Sequence, residues 1–199
     1  VAVTAPSGEN RPAIHVDVIL VPAGGAFEVE WSQMVEGFGA QRARALAVAT
    51  EAEGVQAHAS SERLAASQAA LGLLARGGDA SVDWKAYDQE KHRQIAAVEQ
   101  SIKAAQRGRT ARKQLEALGA RIRRDAWHLI TNYQVKRVTT DDRGRFAFPG
   151  ILPGRYFLAS RIPVSGGERY WFVPVDLRAR GKHTMDLTEG NAGWPFSRG

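Results

Sequence analysis

The side chains best able to do chemistry in this 199-residue chain are its five histidines, His15, His58, His92, His128 and His183. A zinc hydrolase of the H-E-x-x-H type sets two histidines four residues apart, so that both imidazoles reach one ion from one helix face. No two histidines here have that spacing, and Glu90 and His92, two residues apart, diverge on a helix. The chain has no cysteine, which removes disulfides, thiolate metal sites and acylated cysteine from this stretch. G-x-S-x-G, P-loop and dinucleotide-binding fingerprints are missing too. The adjacent carboxylates Asp141 and Asp142 read as a solvated turn before an acid–base pair. The sequence thus predicts no catalytic residue, no metal site and no cofactor.

Charge points to binding. The net charge is +6, from 27 basic and 21 acidic residues, and it is concentrated. Between residues 103 and 124 stand Lys103, Arg107, Arg109, Arg112, Lys113, Arg121, Arg123 and Arg124, opposed by Glu116 alone. Three readings stay open: a solvated helical face, a dock for an acidic protein surface, and a contact for anionic lipid headgroups. Nucleic acid is disfavoured, because no aromatics interleave with the basic residues. Trp194 and Phe196 flank Pro195 in a Gly-containing tail, residues 190–199, and form a candidate aromatic anchor for a partner.

Two β blocks must carry these groups, with a helical block between them. Residues 1–12 are rich in Pro, Gly and Ser and read as a flexible arm. Ile14, Val16, Val18 and Leu20 alternate as a strand with one buried face, and Phe27, Val29 and Trp31 suggest a second short strand. Residues 32–131 contain no proline and are dominated by alanine, a composition that favours helix. Leu64, Ser67, Leu71 and Leu74 follow a 3-4-3 spacing. Ile95, Val98, Ile102 and Ala105, and then Leu115, Leu118 and Ile122, continue it as narrow coiled-coil seams. Gly77, Gly78 and Asp79 punctuate the middle, with Ser81 or Asp83 as the next N-cap. Two arms, each about 70 Å if straight, form an antiparallel hairpin in this reading. Gly54 and Gly108 are candidate paired kinks, or points where the hairpin folds back into a bundle. After Trp127, strands are expected at 133–139, around Phe146 and Phe148, and at 156–162, 170–177 and 182–187.

The run from Thr139 through Asp141, Gly144, Phe146 and Phe148 to Pro153, Gly154, Tyr156 and Leu158 resembles the carboxypeptidase-regulatory-like family. The family pattern is T-x-D-x-x-G-x-F-x-F, then a loop ending P-G-x-Y-x-L. The resemblance covers the two β blocks, about half of the chain. It implies a transthyretin-like sandwich of the kind common in bacterial exported proteins. A related sandwich family hydrolyses hydroxyisourate and ends Tyr-Arg-Gly-Ser; this chain ends Phe196-Ser197-Arg198-Gly199, which argues against that activity.

The expected fold is therefore α+β: a seven-stranded antiparallel β-sandwich, residues 13–31 plus 132–189, interrupted by a long antiparallel helical hairpin at 32–131. The expected function is non-catalytic, an accessory subunit of a larger periplasmic or membrane-bound assembly; the first residue is Val1 rather than Met, and a removed signal peptide, one explanation of that, would place the protein in the periplasm or outside the cell. Its expected partner is a protein, a membrane-protein complex among the options. Expected contact residues are Arg107, Arg109, Arg112, Lys113, Arg121, Arg123, Arg124, Trp194 and Phe196. The first alternative is a glycan or cell-wall binding module with Trp171 lining a groove, and the second is a transthyretin-like hydrolase.

Overall fold

The computed structural model describes residues 2–4, 10–77, 82–164, 167–178, 187 and 193, with side chains from residue 13 onward. The elements run β1 (Ala2–Thr4), β2 (Asn10–Pro12), β3 (Asp17–Pro22), α1 (Gly25–Gly77), α2 (Trp84–Asn132), β4 (Lys136–Thr139), β5 (Gly154–Val164) and β6 (Gly167–Leu177). They fall into two compact units, Val1–Phe38 with Gly119–Gly199, and Gly39–Leu118. Residues 25–38 of α1 and 119–132 of α2 thus belong to the first unit and the remainder of both helices to the second.

The first unit is built on one four-stranded antiparallel sheet, ordered β4-β3-β5-β6. Strands from either side of the helices share it: Val18 is level with Val138 on one side and Ser160 on the other. Within residues 1–12, β1 and β2 pair antiparallel as a separate two-stranded sheet. From Val18 onward β3 is an unbroken apolar run, and Val18 to Val21 are buried on both faces, as such a run requires. Its odd positions, Ile19 and Val21, meet Phe27, Ala126, Ile130, Ala159 and Tyr170. Its even positions, Val18 and Leu20, meet Leu158, Ile162, Trp171 and Leu187. Helix segments thus cover one face. The loop bearing Phe146, Phe148 and Ile151 covers the other.

This corrects the seven-stranded sandwich: the fold is α+β with a single four-stranded sheet. Two expected strands are something else. Phe27, Val29 and Trp31 begin α1, because Phe27, Trp31 and Met34 also satisfy a helical spacing and pack as one stripe against the sheet. Gly25, with φ 63°, turns the chain between β3 and that stripe. Phe146 and Phe148 lie on a loop, their rings 5.7 Å apart and edge-on, packed on the core without a strand partner among the described residues. The expected strand at 182–187 lies outside the described residues, apart from the buried Leu187.

Polar anchors hold the loop face. Thr140 is buried; its Oγ1 donates to the Ala13 carbonyl at 2.8 Å and accepts from the Val16 N–H at 2.9 Å. Ser160, also buried, donates to the Asp17 carbonyl at 2.8 Å. Asp141 organises the turn that follows. Its Oδ1 accepts the Arg145 N–H at 2.8 Å and the Arg143 N–H at 2.9 Å, and its Oδ2 takes the Arg145 guanidinium. Gly144, φ 71°, supplies the left-handed residue. The Arg145 backbone N–H, then its guanidinium, draws the Asp141 carboxyl down to about 2, from a usual 3.8. A carboxyl whose folded value is depressed adds stability above its unfolded value and loses it as pH falls through the folded one. The turn's contribution should therefore be complete above about pH 4 and disappear toward pH 2. Carboxyl NMR titration should place the Asp141 midpoint near 2; a midpoint close to 3.8 would refute the turn geometry.

Candidate interaction surface

The second unit consists of the parts of α1 and α2 within residues 39–118, running antiparallel. Asp83 caps α2: its Oδ1 accepts the Ala86 N–H at 3.0 Å, and its carbonyl accepts the Tyr87 N–H. Gly54 and Gly108 sit inside unbroken helices. A Cβ built on Gly108 would lie 3.6 Å from that of Ala52. Gln94 donates to the Ser67 hydroxyl at 2.8 Å, and Arg112 pairs with Glu53. From the Ala52–Gly108 and Glu53–Arg112 contacts to the Ser67–Gln94 contact, α1 runs forwards while α2 runs backwards, which sets the hairpin's antiparallel register.

Its seam is alanine. Among the described residues of this unit, those buried are Ala49, Ala52, Ala59, Ala66 and Ala70 on α1 and Ala97, Ala104 and Ala111 on α2. Ala52, Ala59 and Ala66 are seven residues apart, as are Ala97, Ala104 and Ala111. Side chains this small let the helix axes approach to the low end of the ~8–10 Å range.

Of the seams expected from the sequence, Leu115, Leu118 and Ile122 are half-buried or buried and continue the alanine spacing from Ala111, but the other two leave their large residues outside. Leu64 is 59 % exposed, Leu71 65 %, Ile95 57 % and Ile102 53 %. Leu74 and Val98 are exposed as well. On a helical wheel, Leu64, Leu71 and Leu74 fall on one side of the alanine stripe of α1. Ile95, Val98 and Ile102 fall on the matching side of α2. For antiparallel helices those two sides form one face, and the Glu53–Arg112 pair lies on it. Trp84 continues this face towards the turn, 62 % exposed and edge-on to Tyr87 at 5.9 Å.

The expected basic contact residues are divided between the two units. Arg107, Arg109, Arg112 and Lys113 belong to the hairpin and are exposed. Arg109, Arg112 and Lys113 share a helical flank, whereas Arg107 points elsewhere. Arg121, Arg123 and Arg124 belong to the sheet unit. There Arg124 Nε lies 3.7 Å from Asp125, and Arg123 bears electrostatically on Tyr170. Trp194 and Phe196 lie outside the described residues. Trp171 is fully buried, so it lines no exposed groove, and the glycan-binding reading loses its residue.

No family model, curated protein or solved structure matches this chain. The resemblance noted above therefore rests on its motif residues alone.

The sheet unit carries one further feature that the sequence did not announce. Trp31, Phe172 and Phe157 stack in succession, with centroids 4.4 and 4.5 Å apart and planes within 18° and 15°. Phe27 joins them at 5.5 Å from Trp31. These rings come from α1, β5 and β6, so no local spacing could reveal them. Beside them a shallow groove of about 530 Å³ is lined by Glu30, Gln33, Met34, Asp125, His128, Leu129 and Asn132. Glu30 accepts the Tyr133 hydroxyl at 2.6 Å, and this bond raises the tyrosine's pKa. On β6 the Tyr170 hydroxyl bonds to Glu168, while Arg161 lies over the Trp127 ring at 4.6 Å. Burial, ahead of the Glu168 bond, raises Tyr170. Among the described residues no three His, Asp or Glu side chains come together to hold a metal, and no helix is long and apolar enough to cross a membrane.

Proposed function

We propose that this chain is a non-catalytic interaction protein, an accessory subunit of a larger assembly, that docks through its helical hairpin. The observation that carries this reading is the apolar face formed by Leu64, Leu71, Leu74, Ile95, Val98 and Ile102. Single exposed leucines are ordinary, but a contiguous stripe on two helices at coiled-coil spacing is the pattern of a helical interface. The hairpin needs none of these side chains to close, because alanine already fills its seam. The flanking Arg109, Arg112 and Lys113 favour an acidic rim on the bound surface, where charge acts mainly on association rate and salt sensitivity. Membrane-bound and periplasmic settings both suit such a subunit.

Affinity capture from native extract tests the reading. Leu64→Lys/Leu71→Lys should abolish capture of every specific binder, whereas Ala65→Lys, on the opposite flank of α1, should leave capture intact. Equal capture by both variants, each with wild-type helicity by circular dichroism, would sink the proposal.

A further inference from the structure

The structure points to a second copy of this chain as the occupant of the apolar face, two hairpins closing into a four-helix bundle. This inference rests on the docking reading above and names its partner. Three observations carry it.

The first is the composition of the hairpin. Among the described residues of 39–118 every buried apolar side chain is alanine, while Leu64, Leu71, Leu74, Ile95 and Ile102 of the same helices are exposed. A helix in a four-helix bundle needs an apolar stripe wide enough to meet two neighbours. Here the alanine half meets the other helix of the hairpin, and the large-residue half has no neighbour within the unit.

The second is self-complementarity. The Gln94–Ser67 and Gly108–Ala52 contacts place Ile95 level with about Ala66, Val98 with about Arg63 and Ile102 with about Ala59. The large residues are therefore distributed evenly about the level of Ala66 and Ser67. A two-fold axis at that level, perpendicular to the helices, sets Leu64 against Leu71 of the second copy and Ile95 against itself. It also brings Lys91 level with Glu99 of the second copy, opposite charges at the rim. An isologous contact requires such a patch, one that matches itself on reversal.

The third is size. The face runs about 14 residues, roughly 21 Å, and spans two helices of about 10 Å each. A knobbed surface of that plan buries on the order of 1,000 Å² in a pair, the threshold for a specific interface.

The test is the oligomeric state of the full chain. Sedimentation equilibrium over a wide dilution series should give twice the 21.7 kDa chain mass. Leu64→Lys/Leu71→Lys, which sets like charges against each other across the axis, should weaken the dimer by about thirtyfold or more, the effect of losing a hot spot. Because the chain has no cysteine, single substitutions report proximity. Ile95→Cys should cross-link to itself with a short bis-maleimide, and Ala96→Cys, its neighbour on the opposite flank, should not. A wild-type chain that stays monomeric throughout overturns the second copy. If its capture of another protein is then lost in Leu64→Lys/Leu71→Lys, the docking reading survives; if capture is unchanged, both fall. Equal cross-linking at positions 95 and 96 also overturns the two-fold arrangement.

Discussion

Trp171→Ala should destabilise the sheet unit by about 3–5 kcal/mol, the usual cost of deleting a large buried aromatic. Trp171 is fully buried on β6 and packs with Val18, Leu158, Ile162 and Leu187 on the loop-covered face. The pairing of Ser160 with Trp171 puts it beside the centre of the sheet. The side chains around it cannot collapse into the space it leaves, because the long β5–β6 ladder holds the strand in place. Against a total of about 5–15 kcal/mol, the loss should leave the unit marginal at 37 °C. Guanidinium unfolding followed by near-ultraviolet circular dichroism measures it. A midpoint shift equivalent to less than about 1 kcal/mol would show that this face is not a packed core.

In the hairpin, enlarging small residues should do harm and trimming large ones should not. Ala59→Leu or Ala104→Leu forces a bulky side chain between helices in contact, and each should destabilise by about 1–3 kcal/mol. Leu71→Ala, at an exposed position and with alanine the better helix former, should change monomer stability by less than about 0.5 kcal/mol. Thermal melts at dilutions where the chain is monomeric separate the two. The opposite ranking would restore the leucine seam and remove the alanine one.

That contrast shows what the sequence could and could not convey. The helices were legible because a long proline-free, alanine-rich stretch leaves the backbone little alternative. Their sidedness was not, because hydrophobic periodicity weights large residues, and Leu64, Leu71, Ile95 and Ile102 outshout alanine. The seven-residue spacing of Ala52, Ala59 and Ala66, and of Ala97, Ala104 and Ala111, carried the signal in residues too neutral to be noticed. Phe27 and Trp31 misled for another reason: a short run satisfies period two and period 3.6 together, and only the neighbouring core decides. Phe146 and Phe148 alternate like a strand, but Asp141 commits its carboxylate to the backbone of residues 143 and 145 and shapes a turn. The basic residues are one stretch in sequence, but helix geometry and the two units divide them. The stack of Trp31, Phe172 and Phe157 joins three elements and has no local signature at all.

The position of β3 governs how the chain can fold. It precedes both helices, yet both of its sheet neighbours follow them. Val18 must find Val138 and Ser160 before any part of the four-stranded sheet that includes it exists. Closing a flexible loop of that length costs about 4 kcal/mol of chain entropy before a single ladder bond repays it. Pairing of this kind is high in contact order and slow, whereas helices form in about a microsecond from contacts within a few residues. The hairpin is therefore the local step and the sheet the non-local one. By bringing residues 39 and 118 together, α1 and α2 shorten the stretch that β3 still has to search.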